Sequence, residues 1–94
     1  MDKKGLILVV DDDADIRATS RIILESHGYE VQTAAGGKEA TELLARRKPD
    51  LMLLDVMMAT DTEGFDLALR LREDPGFKDL PIIMLTAFLD KVRA

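Results

Sequence analysis

Ninety-four residues with 47% apolar side chains can build one hydrophobic core and are too few for two. A net charge of −5 argues against a basic, phosphate-tracking surface, the absence of cysteine rules out disulfides and thiolate metal sites, and a single histidine, His27, rules out cooperating imidazoles. No direct nucleic-acid binding is expected, and no membrane span: the apolar run behind Lys3-Lys4 is too short for a signal-peptide core, so a reducing, cytoplasmic location is expected.

The first element is Leu6-Ile7-Leu8-Val9-Val10, a continuous apolar run of the kind found in parallel strands covered on both faces. It ends in Asp11-Asp12-Asp13. Ile16, Ser20, Ile23 and Leu24 then recur at helical spacing, with Gly28 as the stop. Tyr29 to Thr33 reads as a weaker, more polar strand nearer an edge. After Gly36-Gly37 a second helix aligns Ala40, Leu43 and Leu44 on one face, and closes in Arg46-Arg47-Lys48 before Pro49, cations at its negative end. Leu51-Met52-Leu53-Leu54 is the third strand and runs into Asp55. A third helix from about Gly64 to Glu73 buries Leu67, Ala68 and Leu71, and the turns at Asp74-Pro75-Gly76 and Leu80-Pro81 lead into Ile82-Ile83-Met84-Leu85, followed by Thr86-Ala87. Phe88 to Ala94 reads as the start of a fourth helix.

This alternation predicts an α/β fold, an open parallel sheet between helices in three layers with right-handed crossovers, formed by residues 1–94 as one domain. Ligands of such sheets sit beyond the carboxyl ends of the strands. There the chain carries Asp11-Asp12-Asp13, Asp55 and Thr86-Ala87. Carboxylates brought close together raise one another's pKa unless a cation holds them ionised. Clustered oxygen ligands without His or Cys suit Mg²⁺ or Mn²⁺, which leave coordination positions for phosphate oxygens. A carboxylate meeting a phosphoryl group beside such an ion can act as nucleophile, with Thr86 donating a hydroxyl to a phosphoryl oxygen.

At these residues the chain resembles a known family. LILVVDDD (Leu6 to Asp13), PDLMLLDVMM (Pro49 to Met58), Gly64-Phe65 and PIIMLTA (Pro81 to Ala87) are similar, in order and interval, to the receiver domain of bacterial two-component response regulators. The resemblance implies a flavodoxin-like sheet of order 2-1-3-4, the fifth strand and last helix of the family being absent from this chain. It also implies that Asp55 accepts the phosphoryl group from a sensor histidine kinase or a phosphotransfer protein. Asp11 and Asp12 match the acidic pair that holds the metal, together with Asp55 and the backbone carbonyl of Met57, and Thr86 with Ala87 matches the switch that contacts the phosphoryl group. Met57 and Phe88 fall where side chains govern access of water to the acyl phosphate. Such a domain is a phosphoacceptor in signalling and not an enzyme.

The chain departs from the family pattern in three places. Ala59 stands where the family usually has Pro, and the loop from there to Gly64 is one residue longer. The family's phosphoryl-pairing Lys belongs to the fifth strand, and Lys91 lies in the wrong element to replace it. Two other functions compete: a degenerate receiver serving only as an interaction module, and a haloacid-dehalogenase-type phosphohydrolase with Asp11 and Asp13 as its Asp-x-Asp pair. Plainer roles suffice for Asp13 as a helix cap, His27 as a helix-end residue, Met52 and Met84 as packing and Gly36-Gly37 as a turn. With the fourth strand as an edge, a homodimer through that strand and the 88–94 tail is also expected.

Overall fold

The computed structural model describes residues 4–55 and 63–85, the side chains of 63–65 excepted. Its elements are β1 (Leu6–Val10), α1 (Ala14–Ser26), β2 (Glu30–Ala34), α2 (Gly37–Arg46), β3 (Leu51–Asp55), α3 (Glu63–Glu73) and β4 (Ile82–Leu85). The four strands pair in parallel in the order β2-β1-β3-β4, as the resemblance implies. From β1 the chain crosses to β2 on one side; from β2 it returns past β1 to β3 and continues to β4. Because right-handed crossovers in opposite directions lie on opposite faces, α1 falls on one face and α2 with α3 on the other.

The core divides accordingly. On the α2/α3 face, Leu8, Val10, Ala34, Met52 and Leu54 from the strands meet Ala40, Leu44, Leu67, Ala68 and Leu71 from the helices, all buried. The opposite face is smaller: Ile7, Val9 and Val31 are buried, with half-buried Leu24, Tyr29, Leu51 and Leu53 packed against them. β1 is buried along its whole length, whereas β3 alternates between half-buried and buried, because its two sides are covered unequally. The helical stripe expected on α1 is only partly used. Leu24 packs against the sheet, while Ile16 and Ile23 are exposed, since the described part of that face offers them no neighbouring layer.

Side chains set the element boundaries. Asp13 caps α1, its Oδ1 accepting from the backbone N–H groups of Asp15 at 2.8 Å and Ile16 at 3.4 Å. Gly28, at φ +93°, turns the chain out of α1 toward β2. Asp50 starts the β1/β3 ladder, its Oδ2 accepting from the Leu6 N–H at 2.7 Å. A Cβ on Gly5, whose φ is +159°, would stand 2.9 Å from that oxygen, so a side chain there would displace the Asp50 carboxylate. Arg47, expected only as a solvated helix end, pairs in bidentate fashion with Glu30 at 2.7 and 3.0 Å and ties the end of α2 to β2. On α3, Arg72 donates through Nη1 to the carbonyls of Lys78 at 2.9 Å and Leu80 at 2.8 Å, clamping the loop into β4. Among the described residues, no helix is long and apolar enough to cross a membrane.

Candidate functional site

The reversal of crossover direction between β1 and β3 opens a crevice at the carboxyl ends of those two strands. Their register pairs Val10 with Leu54, so the residues that follow, Asp11 and Asp55, leave the sheet side by side. Both have the same parity as the α1-facing Val9 and Leu53, which directs them to one face. Asp12 joins them from the β1–α1 turn. One carboxylate oxygen from each of Asp11, Asp12 and Asp55 lies within 4.8 Å of the others.

The three differ in surroundings. Asp11 is 5% exposed, Asp12 is exposed and Asp55 half-buried. Asp11 is also the most heavily bonded residue of the turn: its N–H donates to the Ala34 carbonyl at 3.0 Å, its Oδ1 accepts from the Asp13 N–H at 2.9 Å, and its carbonyl accepts from Arg17 Nη1 at 2.7 Å. Burial pushes the Asp11 carboxyl above the usual carboxylate range. The Asp13 N–H opposes this, while the negative charges of Asp55 and Asp12 and a hydrogen bond with Asp55 add to it.

A hard divalent cation fits this set. The ligands are carboxylate oxygens without imidazole or thiolate, and their mutual repulsion is what a dication relieves. A surface groove between α2 and α3 passes Lys38, Glu42, Asp66 and Arg70, and none of the three aspartates lines it. Of the residues singled out from sequence, Asp11, Asp12 and Asp55 are brought together, and Asp13 is the helix cap expected. Met57, Thr86, Ala87 and Phe88 lie outside the described residues, as do Ala59 and its loop up to Thr62, whereas Glu63 and Gly64 belong to α3. Sequence reasoning passed over Arg17, since an arginine in the first turns of a helix reads as solvated.

A doubly wound parallel sheet with an acidic cluster at its topological switch point places the chain among the open α/β domains that bind ligands at that point. Comparison with known proteins narrows the class. The family model of the response regulator receiver domain matches residues 7–94, and the chain belongs to that family. It is 48% identical over 81 residues to the phosphate regulon transcriptional regulatory protein PhoB of Pseudomonas aeruginosa, an alignment covering 86% of this chain and 35% of that protein. The N-terminal domain of a response regulator receiver protein from Methanoculleus marisnigri superposes with a TM-score of 0.85 at 41% identity, over 90% of this chain and 68% of that one. The chemotaxis response regulator CheY4 of Vibrio cholerae gives a TM-score of 0.79 at 35% identity, over 85% and 66%. The chain thus spans about a third of the PhoB relative's length and about two thirds of each of these two solved chains.

Proposed function

We propose that residues 1–94 act as one phosphoacceptor domain in which Asp55 takes a phosphoryl group from a phosphohistidine of a sensor kinase or phosphotransfer protein. A carboxylate oxygen of Asp55 attacks phosphorus, the phosphorus–nitrogen bond to the donor imidazole breaks, and the chain carries an acyl phosphate. The observation that carries this reading is the meeting of Asp55 with Asp11 and Asp12 within 4.8 Å at the switch point of the sheet. Asp11, Asp12 and Asp55, with the Met57 carbonyl, would hold Mg²⁺ or Mn²⁺, which when bound offsets the charge of the carboxylates and of the incoming phosphoryl oxygens. Asp11 fixes the turn through its three hydrogen bonds, Asp12 offers the exposed oxygen, and Thr86 with Ala87 contacts the transferred group while Met57 and Phe88 limit access of water.

Family membership supports a signalling role in preference to the hydrolase alternative. The net charge of −5 fits a domain that does not itself bind nucleic acid and controls an output carried elsewhere, with a cytoplasmic site of action. The test is incubation with a small-molecule phosphodonor. Intact mass should rise by one phosphoryl group in the presence of Mg²⁺, and should not rise with a chelator or in Asp55→Asn. An unmodified wild-type chain under these conditions would favour the phosphorylation-independent interaction module.

Self-pairing through β4 belongs to the same proposal. Ile83, Met84 and Leu85 are 49%, 41% and 41% exposed on a strand whose only described partner is β3. Sedimentation equilibrium of the full chain should show a dimer, and a folded monomer at all concentrations removes the pairing.

A further inference from the structure

The β1 ladder ends at Val10, and the next residue, Asp11, keeps only half of its strand pattern. Its N–H still reaches across to the Ala34 carbonyl on β2 at 3.0 Å. Its carbonyl is instead claimed by Arg17, half-buried on α1, whose Nη1 lies 2.7 Å away. The backbone N–H of the same Arg17 donates to the Asp13 carbonyl at 3.0 Å. One residue therefore grips the turn at both ends, by its side chain at Asp11 and by its main chain at Asp13.

Asp12 sits between those two points. The Asp11 carbonyl and the Asp12 N–H belong to one planar trans peptide, so fixing the direction of the carbonyl fixes the plane from which Asp12 departs. The following residue is held as well, since the Asp13 N–H donates to Asp11 Oδ1 at 2.9 Å and the Asp13 side chain caps α1. Asp12 is exposed and has no such bond of its own among those described, so the pinned backbone on either side is what aims its carboxylate at Asp11 and Asp55. Arginine suits this role because it stays charged at any relevant pH, and a charge-assisted hydrogen bond to a carbonyl is short and strong.

We propose that Arg17 is a positioning residue of the acidic cluster, holding the Asp11 carbonyl so that the Asp11–Asp12 peptide presents both carboxylates to a divalent cation. This rests on the reading of the cluster as a cation site and goes beyond it in assigning a residue that touches none of the ligand oxygens. Outer-shell groups of this kind set metal affinity by orienting the ligands.

Arg21 supplies the control. One turn further along α1, its Nη2 donates to the Val31 carbonyl at 3.2 Å, the same kind of tether from the same helix to β2, at a strand that carries none of the three aspartates. The full chain is titrated with Mn²⁺, read by electron paramagnetic resonance, and with Mg²⁺ by competition. Arg17→Ala should weaken binding of both ions about tenfold, the lower end of the range for outer-shell changes. Arg17→Lys should recover most of the loss, and Arg21→Ala should leave affinity unchanged. In the metal-free chain, the Asp12 and Asp13 amide resonances should move in Arg17→Ala and stay in place in Arg21→Ala, a readout that needs no ion. Equal losses in the two alanine variants would reduce Arg17 to a general tether of α1 and overturn the proposal. So would wild-type affinity in Arg17→Ala, which leaves the cation site standing and removes only the role of Arg17. A wild-type chain that binds neither ion overturns the cation site itself, and the positioning role with it.

Discussion

The two faces of the sheet are made of the same kinds of residue and are finished differently. On β3, Met52 and Leu54 point to the α2/α3 face and are 0% exposed, while their neighbours Leu51 and Leu53 point to the α1 face and stay half-buried. The first face has two helices interlocked with it, and the second, among the described residues, has one. The carboxylate cluster stands where the two meet, with Asp11 and Asp55 extending the strand positions that face α1. Rigidity for the site therefore comes from the more deeply buried α2/α3 face through the β1/β3 pair, while the hydrogen bonds that aim it come from α1 on the face less covered among the described residues.

The largest effect should come from emptying the more deeply buried face. Leu54→Ala should cost about 2–5 kcal/mol in a denaturant titration, since a fully enclosed leucine leaves a cavity that helices on that face cannot easily fill. Leu53→Ala, one residue away on the other face, should cost about 1–2 kcal/mol, mostly transfer free energy from a half-buried site. Equal costs would show that the faces do not differ in packing.

Asp11→Asn probes the rim between them. The folded-state pKa of Asp11 is raised, so the native chain binds more protons than the unfolded chain between the unfolded and folded pKa values. Stability of the metal-free chain should fall as pH rises through the raised value, and Asp11→Asn should abolish that fall. At neutral pH the variant should be more stable than wild type by about 0.5–2 kcal/mol, the range that relieving unfavourable charge commonly yields. A less stable variant would mean that the bond from the Asp13 N–H outweighs the repulsion. The smallest effect is expected on the outer surface of α1, where Ile22 is 68% exposed: Ile22→Ser should change stability by no more than about 0.5 kcal/mol.

Much of this was legible in the sequence, for reasons that also mark where legibility ended. Continuous apolar runs bounded by helical stripes identified the parallel strands, and aspartates placed after such runs could only lie at strand ends, where this fold binds ligands. That Asp11 and Asp55 stand side by side depends on the β1/β3 register, which no local pattern encodes. Burial of Leu51 and Leu53 was misjudged in degree, because an apolar residue reports a face suited to cover and not how much cover is present. The stripe Ile16, Ser20, Ile23 and Leu24 foretold the helix, yet only Leu24 packs into the smaller core. Arg47 read as a solvated helix-end cation and Arg17 was not singled out, yet both are tethers whose acceptors lie in elements distant along the chain or around a turn. A long polar side chain can reach several partners, and composition does not say which.

The central claim is that Asp55, and no other carboxylate of the cluster, carries the phosphoryl group. Borohydride reduces an acyl phosphate to an alcohol and so converts a phosphorylated aspartate into homoserine, which peptide sequencing by mass spectrometry can place. After treatment of the full chain with a phosphodonor and Mg²⁺, homoserine should be found at position 55. Homoserine at position 11 instead, the residue that the hydrolase alternative would use, or at neither position, would contradict the account.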